Sequence, residues 1–141
     1  MESTHQASGS CMCGKVTITT NNMASGVGAC HCSMCRKWGG GPMLTADAGE
    51  SISIAGEEHI TRYNSSDWAE RGFCNSCGTH LFYHLRQPAK YIMPLGFFDQ
   101  TGAVKFDHQI FIDEKPALYS FANETHNMTG AEVFAAFSGD D

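Results

Sequence analysis

Cations are scarce in this 141-residue chain: nine Lys plus Arg stand against fifteen Asp plus Glu, a formal net charge of −6. No basic stripe is available to displace counterions from phosphate, which argues against a nucleic-acid partner and for a small ligand. No run of 18 apolar residues occurs, so no membrane-spanning helix is expected. Residues 1–30 lack a basic start followed by an apolar core and a cleavage site, and the seven cysteines are odd in number. A disulfide framework would leave one thiol over, so the expectation is a cytoplasmic protein with reduced thiols. No repeat, low-complexity tract or compositional boundary divides the chain. With 42% apolar residues, it reads as one domain over residues 9–138 behind a flexible tail over residues 1–8.

What the chain does have is patterned sulfur. Cys30-His31-Cys32-Ser33-Met34-Cys35 places three thiols within six residues, while Cys11-x-Cys13 and Cys74-x-x-Cys77 form two further pairs separated by residues 14–73. The two pairs have the number and spacing to close a tetrahedral zinc centre, leaving the three-cysteine cluster as a second site with a position open. Glycine follows each pair, at Gly14 and Gly78, where a sharp turn lets thiolates and backbone N–H groups face one ion. A competing arrangement joins Cys32 and Cys35 with Cys74 and Cys77 as a zinc ribbon, and spacing alone leaves both open.

Short stretches rich in β-branched or aromatic residues predict strands at Lys15–Thr20, Ser51–Ala55, His59–Tyr63, Thr79–Leu85, Tyr91–Phe97 and Gln109–Ile112. Asn21-Asn22, Gly56, Asn64–Asp67, Pro88, Asp99–Gly102 and Pro116 read as breaks between them. One helix is predicted over Thr129–Phe137: Thr129-Gly130-Ala131-Glu132 fits a capping box, Met128 and Val133 a hydrophobic staple, and Val133, Phe134 and Phe137 one apolar face. Phe73, Phe82, Tyr83, Phe97, Phe98, Phe111 and Phe121 are expected in the core.

Three segments taken together, Gly9-Ser10-Cys11-Met12-Cys13-Gly14, Cys30-His31-Cys32-Ser33-Met34-Cys35-Arg36-Lys37 and Phe73-Cys74-Asn75-Ser76-Cys77-Gly78-Thr79, resemble the glutathione-dependent formaldehyde-activating enzyme family, which also contains centromere protein V. The resemblance runs from Gly9 to beyond Leu85. It implies a mostly-β, zinc-stapled β-tent of short antiparallel strands with a short C-terminal helix. It also implies Cys11, Cys13, Cys74 and Cys77 on a structural zinc, and Cys30, Cys32 and Cys35 as a second, three-thiolate zinc site where glutathione binds. The implied activity is that of a carbon-sulfur lyase joining glutathione, as co-substrate, to formaldehyde to give S-hydroxymethylglutathione. Trp38-Gly39-Gly40-Gly41-Pro42-Met43 departs from the small-residue run of the formaldehyde-activating members, so the aldehyde transfers less readily than the cysteines do.

Chemistry narrows the second site. Three thiolates on a divalent ion leave a net charge of −1, which weakens the ion as an electrophile and disfavours strong water activation. Such a soft site suits a fourth sulfur, whose thiol it lowers in pKa. A small-molecule thiol and an aldehyde are therefore the expected partners, with Cys30, Cys32 and Cys35 presenting the thiolate to a carbonyl carbon.

Glutathione brings two carboxylates, and Arg36 and Lys37 beside the cluster are the first candidates to receive them, with Arg62 and Arg71 behind. Trp38 and Gly39, with Gly40 and Gly41, are expected to line a pocket wall or else to form a loop without contact. His31 lies between two ligands and is expected to point away from the metal, as a packing or supporting residue, with proton transfer as the alternative role. His80 is expected on a strand face with Phe82 and His84. Two other functions compete with the lyase: a non-catalytic glutathione or zinc carrier using the same site, and a methionine sulfoxide reductase. The latter needs a cysteine on a late strand, and none follows Cys77.

Overall fold

The structure, a computed structural model, describes residues 4–99 and 103–137. It is mostly β, with eleven strands and two α-helices among those residues. In chain order they are β1 (Thr4–Ser10), β2 (Thr17–Ala24), β3 (Gly26–Cys30), α1 (Ser33–Gly39), β4 (Met43–Asp47), β5 (Ser53–Ala55), β6 (Ile60–Asn64), β7 (Ala69–Cys74), β8 (His80–Arg86), β9 (Ala89–Pro94), β10 (Lys105–Ile110), β11 (His126–Met128) and α2 (Gly130–Phe137). No helix among the described residues is long and apolar enough to cross a membrane.

Contacts gather into two compact units interleaved along the sequence, one of residues 1–25 and 46–104 and the other of residues 26–45 and 105–141. In the first, β1, β2 and β5 make a three-stranded sheet, and β9, β8, β7 and β6 are hydrogen-bonded in that order. Its core is built from Val16, Ile18, Met23, Leu81, Phe82 and Met93, all fully buried. On β2, Ile18 and Thr20 are buried between half-buried neighbours, the period-2 pattern of a half-buried strand, whereas the adjacent Leu81 and Phe82 on β8 are both buried, so that strand is covered on its two faces. Across β6 to β9 a charged cluster forms: Glu70 accepts from Arg62 at 2.8 Å and from His84 at 3.1 Å, and His84 stacks on Tyr91 with 4.2 Å between ring centroids.

The second unit orders its strands β11, β10, β3, β4. Here the expectation of an all-antiparallel sheet is corrected, because β10 runs parallel to both β3 and β11. Parallel neighbours need long crossovers, and residues 31–104 and 111–125 supply them. β3 itself escaped the sequence reading because Gly-Val-Gly-Ala-Cys carries one β-branched residue. Its glycines serve close approach instead: the His108 ring lies where a Gly28 side chain would stand.

Residues 4–8, expected in a loose tail, form part of β1, whose Ala7 is buried and whose backbone pairs with β2. Residues 1–3 of that tail lie outside the described residues. Asn21-Asn22, expected as a break, sits inside β2. The register passes from His5 opposite Met23 to Ala7 opposite Thr20, so two asparagines face one residue in a bulge. The strand expected over Tyr91–Phe97 stops at Pro94 and continues as a 3-10 turn, Leu95–Phe97. The break expected at Asp99–Gly102 falls largely outside the described residues, at 100–102. Of the expected core aromatics, Phe82, Phe97 and Phe98 are buried, whereas Phe73, Tyr83, Phe111 and Phe121 are half-buried.

The C-terminal helix starts as its sequence predicts. Thr129 Oγ1 accepts from the Glu132 N–H at 3.2 Å, and the Thr129 N–H donates to Glu132 Oε1 at 2.7 Å, a reciprocal capping box. Val133 is buried, while Phe134 is 54% exposed and meets Phe111 edge-on at 5.8 Å, so the apolar face is narrower than expected. The side chain of Phe137 lies outside the described residues. Thr129→Ala should cost α2 about 1 kcal/mol, read as faster amide hydrogen exchange confined to the helix. Unchanged protection there would remove the cap from the account.

Candidate metal and ligand site

Cys11, Cys13, Cys74 and Cys77 bring their sulfurs together within 4.8 Å of one another. Each pair occupies a tight turn closed by a glycine N–H, Gly14 to the Cys11 carbonyl at 2.9 Å and Gly78 to the Cys74 carbonyl at 2.8 Å. Both glycines have positive φ, 81° and 78°, a conformation an L side chain rarely adopts. Sulfur separations of 3.6 Å for Cys11–Cys13 and 3.7 Å for Cys13–Cys74 suit a tetrahedral ion, for which metal–sulfur bonds of roughly 2.3 Å set edges of about 3.8 Å. Backbone N–H groups of Val16 and Ser76 point at Cys11 and Cys74, each at 3.4 Å. The Thr79 hydroxyl, 3.1 Å from Cys77, is the main influence holding that thiol down at about 5. The four residues therefore fit a metal ion closed by sulfur. Cys32 and Cys35 are not among them, so the ribbon arrangement that spacing left open is not the one formed.

The second cluster comprises Cys30, Cys32 and Cys35, again within 4.8 Å of one another. Cys30 ends β3, Cys32 is the N-cap of α1 and Cys35 lies one turn in, so a strand end and a helix start converge the sulfurs. Cys32 Sγ accepts from the Cys35 N–H at 3.3 Å, putting sulfur where a capping oxygen ordinarily sits. Cys30 and Cys35 are each 6% exposed and Cys32 is half-buried, so the cluster opens to solvent through Cys32. Hydrogen bonds from the Cys30 and Cys35 thiols hold Cys32 as a thiolate, down to about 2. The same sharing with Cys32 and Cys35, together with burial, drives Cys30 far upward. Three sulfurs drawn around one thiolate fit three corners of a soft divalent ion, and no fourth Cys, His, Asp or Glu joins them among the described residues. All seven cysteines are free thiols.

The residues proposed for ligand binding fall out unevenly. Arg36 is half-buried on α1 and its Nε donates to the His31 carbonyl at 2.9 Å. Lys37 is exposed on the same helix. Trp38 packs against the buried cluster of Cys30, Cys35 and Met43. Gly39 ends α1 in open space, and Gly40, at φ 88°, caps the helix by donating to the Arg36 carbonyl. That segment is thus a helix end and not a loose loop, a helix that sequence reasoning missed because its cap is a cysteine and its end a glycine run. Arg62 and Arg71 belong to the other compact unit. Arg62 pairs with Glu57 and Glu70, and Arg71 is buried with its guanidinium over the Tyr83 ring. His80 begins β8 as expected, half-buried, and burial lowers its pKa.

His31 is fully buried. Its Nε2 lies 2.8 Å from Gln109 Oε1 and its Nδ1 2.9 Å from the Tyr119 hydroxyl, whose ring stacks on the imidazole at 5.6 Å. Burial and the Cys30 sulfur raise the Tyr119 pKa, against the opposing charge of Arg36. Sequence reasoning missed Gln109 as a partner, having read it only as the start of a strand, and missed Tyr119 entirely. No spacing links Tyr119 to the cysteines, and only its contact with His31 reveals it.

Relatives bear on the site as a whole. Against solved structures, the chain is similar to a Rhodobacter sphaeroides protein known from a crystal structure, with 27% identity, a TM-score of 0.55, and coverage of 65% of this chain and 87% of that one. Against curated proteins, it is 32% identical over 126 residues to a Schizosaccharomyces pombe protein described as an uncharacterized lyase, covering 89% of this chain and 92% of the relative. The sequence profile of the glutathione-dependent formaldehyde-activating enzyme matches residues 6–114, which takes in all seven cysteines. On the extent of that match, the chain belongs to the glutathione-dependent formaldehyde-activating enzyme family.

Proposed function

We propose that this protein, through its 9–138 domain, is a zinc-dependent carbon-sulfur lyase that joins glutathione to a small aldehyde, formaldehyde foremost. The observation that carries the reading is the three-sulfur cluster of Cys30, Cys32 and Cys35, which leaves a corner for a fourth sulfur, in contrast to the tetrad of Cys11, Cys13, Cys74 and Cys77, which closes on sulfur alone. A zinc ion on these three thiolates supplies a soft position at which an added thiol is kept ionised at neutral pH. The chain's own residues do the rest. Arg36 and Lys37 attract the two carboxylates of glutathione, Trp38 walls the sulfurs, and α1 with Gly39 fixes where that wall ends. The glutathione thiol gives up its proton to solvent, its sulfur forms a bond to the carbonyl carbon, the C=O π pair moves to oxygen, and that oxygen takes one proton back from solvent. The product is S-hydroxymethylglutathione. A chain dependent on seven reduced thiols suits the cytoplasm.

Exchange NMR on formaldehyde and glutathione, with and without protein at matched zinc, tests this directly. The adduct should form and dissociate faster than in the spontaneous reaction. Unchanged exchange rates would end the lyase reading, and glutathione binding retained under those conditions would make the protein a carrier.

A further inference from the structure

Behind the three sulfurs, the buried His31 and Gln109 begin a chain of polar groups that the reaction does not consume, running out through the half-buried Tyr119 and Thr125 to the exposed Asn127. His31 forms the one-residue link between Cys30 and Cys32, and every polar group it has is engaged. Its N–H donates to the Ile110 carbonyl at 3.2 Å, and its carbonyl accepts from Arg36 Nε. Gln109 Nε2 donates to Thr125 Oγ1 at 2.9 Å, and Thr125 in turn lies 2.7 Å from Asn127 Oδ1. That order turns Gln109 Oε1 toward His31 and assigns the ring proton to Nε2, leaving Nδ1 to accept from the Tyr119 hydroxyl. Tyr119 is fixed in its turn by Lys115, whose Nζ donates to the Tyr119 and Pro116 carbonyls and lies 5.1 Å from the centre of the Tyr119 ring. One residue earlier, Glu114 accepts from the Ser33 N–H at 2.9 Å, inside the cysteine loop itself.

We propose that His31 and Tyr119 are positioning residues for the three-sulfur site. They orient the Cys30–Cys32 segment and so set the sulfur separations that receive the ion and its thiol ligand, an inference that rests on the ligand-site reading above. Volume alone does not explain the imidazole. An apolar side chain would fill the space without the cost of burying two ring nitrogens, and that cost is met only because each nitrogen has a partner. Both partners also come from chain remote in sequence, so the cysteine loop is held from outside and not by its own turn. Tyr119 lies beyond residue 114, where the family match ends, which makes this support a feature of the segment that follows.

Cobalt(II) titration of the metal-free, full-length protein tests the inference, with thiolate charge-transfer bands reporting each site and Cys32→Ser identifying the bands of the triad. Tyr119→Phe keeps the ring and removes only the hydroxyl. It should weaken the triad ion by about tenfold or more and shift its visible bands, while the tetrad ion keeps its wild-type affinity and the protein still melts cooperatively, its midpoint lowered by no more than one lost buried hydrogen bond implies. In a His31→Gln background the tyrosine substitution should add nothing further, because it acts through His31. Wild-type affinity and spectrum in Tyr119→Phe would overturn the inference and leave the site reading standing. Parallel weakening of both ions with a lowered thermal midpoint would also overturn it, since the role would then be structural. A wild-type protein that binds one cobalt ion alone would overturn both.

Discussion

Cys74→Ser is expected to abolish the cooperative thermal transition, leaving a chain whose far-ultraviolet circular dichroism changes without a midpoint. Cys74 is fully buried at the end of β7, and its partner Cys13 comes from the opposite end of a long stretch of sequence. Metal binding at such a site is coupled to folding, because the unfolded chain offers no preformed ligand set, and a structural zinc contributes on the order of 10–16 kcal/mol. A domain of ordinary stability has only about 5–15 kcal/mol in total. The complete site is thus worth as much as the whole fold, and weakening it by one of its four ligands leaves little stability in hand. A Cys74→Ser variant that melts cooperatively within a few degrees of wild type would overturn the structural role of the tetrad.

Cys32→Ser has the opposite expected pattern: the fold survives and the chemistry goes. Bound zinc should fall from two ions per chain to one by elemental analysis, and adduct exchange should return to its spontaneous rate. The substitution is well suited to separate the two, because Cys32 is also the N-cap of α1 and serine is among the best N-cap residues. The helix start keeps its acceptor while the proposed metal site loses a soft ligand. Retained acceleration in this variant would sink the assignment of the triad, and unfolding would mean that the triad also carries the structure.

The cysteines made much of this protein legible. Three dense sulfur patterns with flanking glycines locate both clusters in one dimension, since the spacing of ligands around a small ion is short-range information. The capping box at Thr129 and Glu132 is local in the same sense, and it formed as read. β8 and β5 followed from their β-branched and aromatic content. What stayed hidden depended on partners far away in sequence. β3 is glycine-rich and is made a strand by β10 and β4. The Asn21-Asn22 pair looks like a turn until β1 forces it into a bulge. Phe111, expected within a strand, adopts a left-handed backbone at φ 55°, which for an L residue costs about 1–2 kcal/mol. Its ring packs against the cysteine cluster and against Phe134, and those contacts hold it there. Neither Tyr119 nor Gln109 carries any local mark of the imidazole it bonds.

The parallel placement of β10 between β3 and β11 has a consequence for biosynthesis. Residues 26–30 leave the ribosome early and meet β4 soon after, but β10, on their other edge, arrives only after residue 104, and β11 later still. Pairings so distant in sequence form slowly, since a long loop must close before they are rewarded. Until then Cys30, Cys32 and Cys35 are an unshielded cluster of thiols on a nascent chain, open to oxidants and to the wrong ion. Translation in peroxide-stressed or copper-loaded cells should therefore damage this cluster well before it harms the same protein once folded.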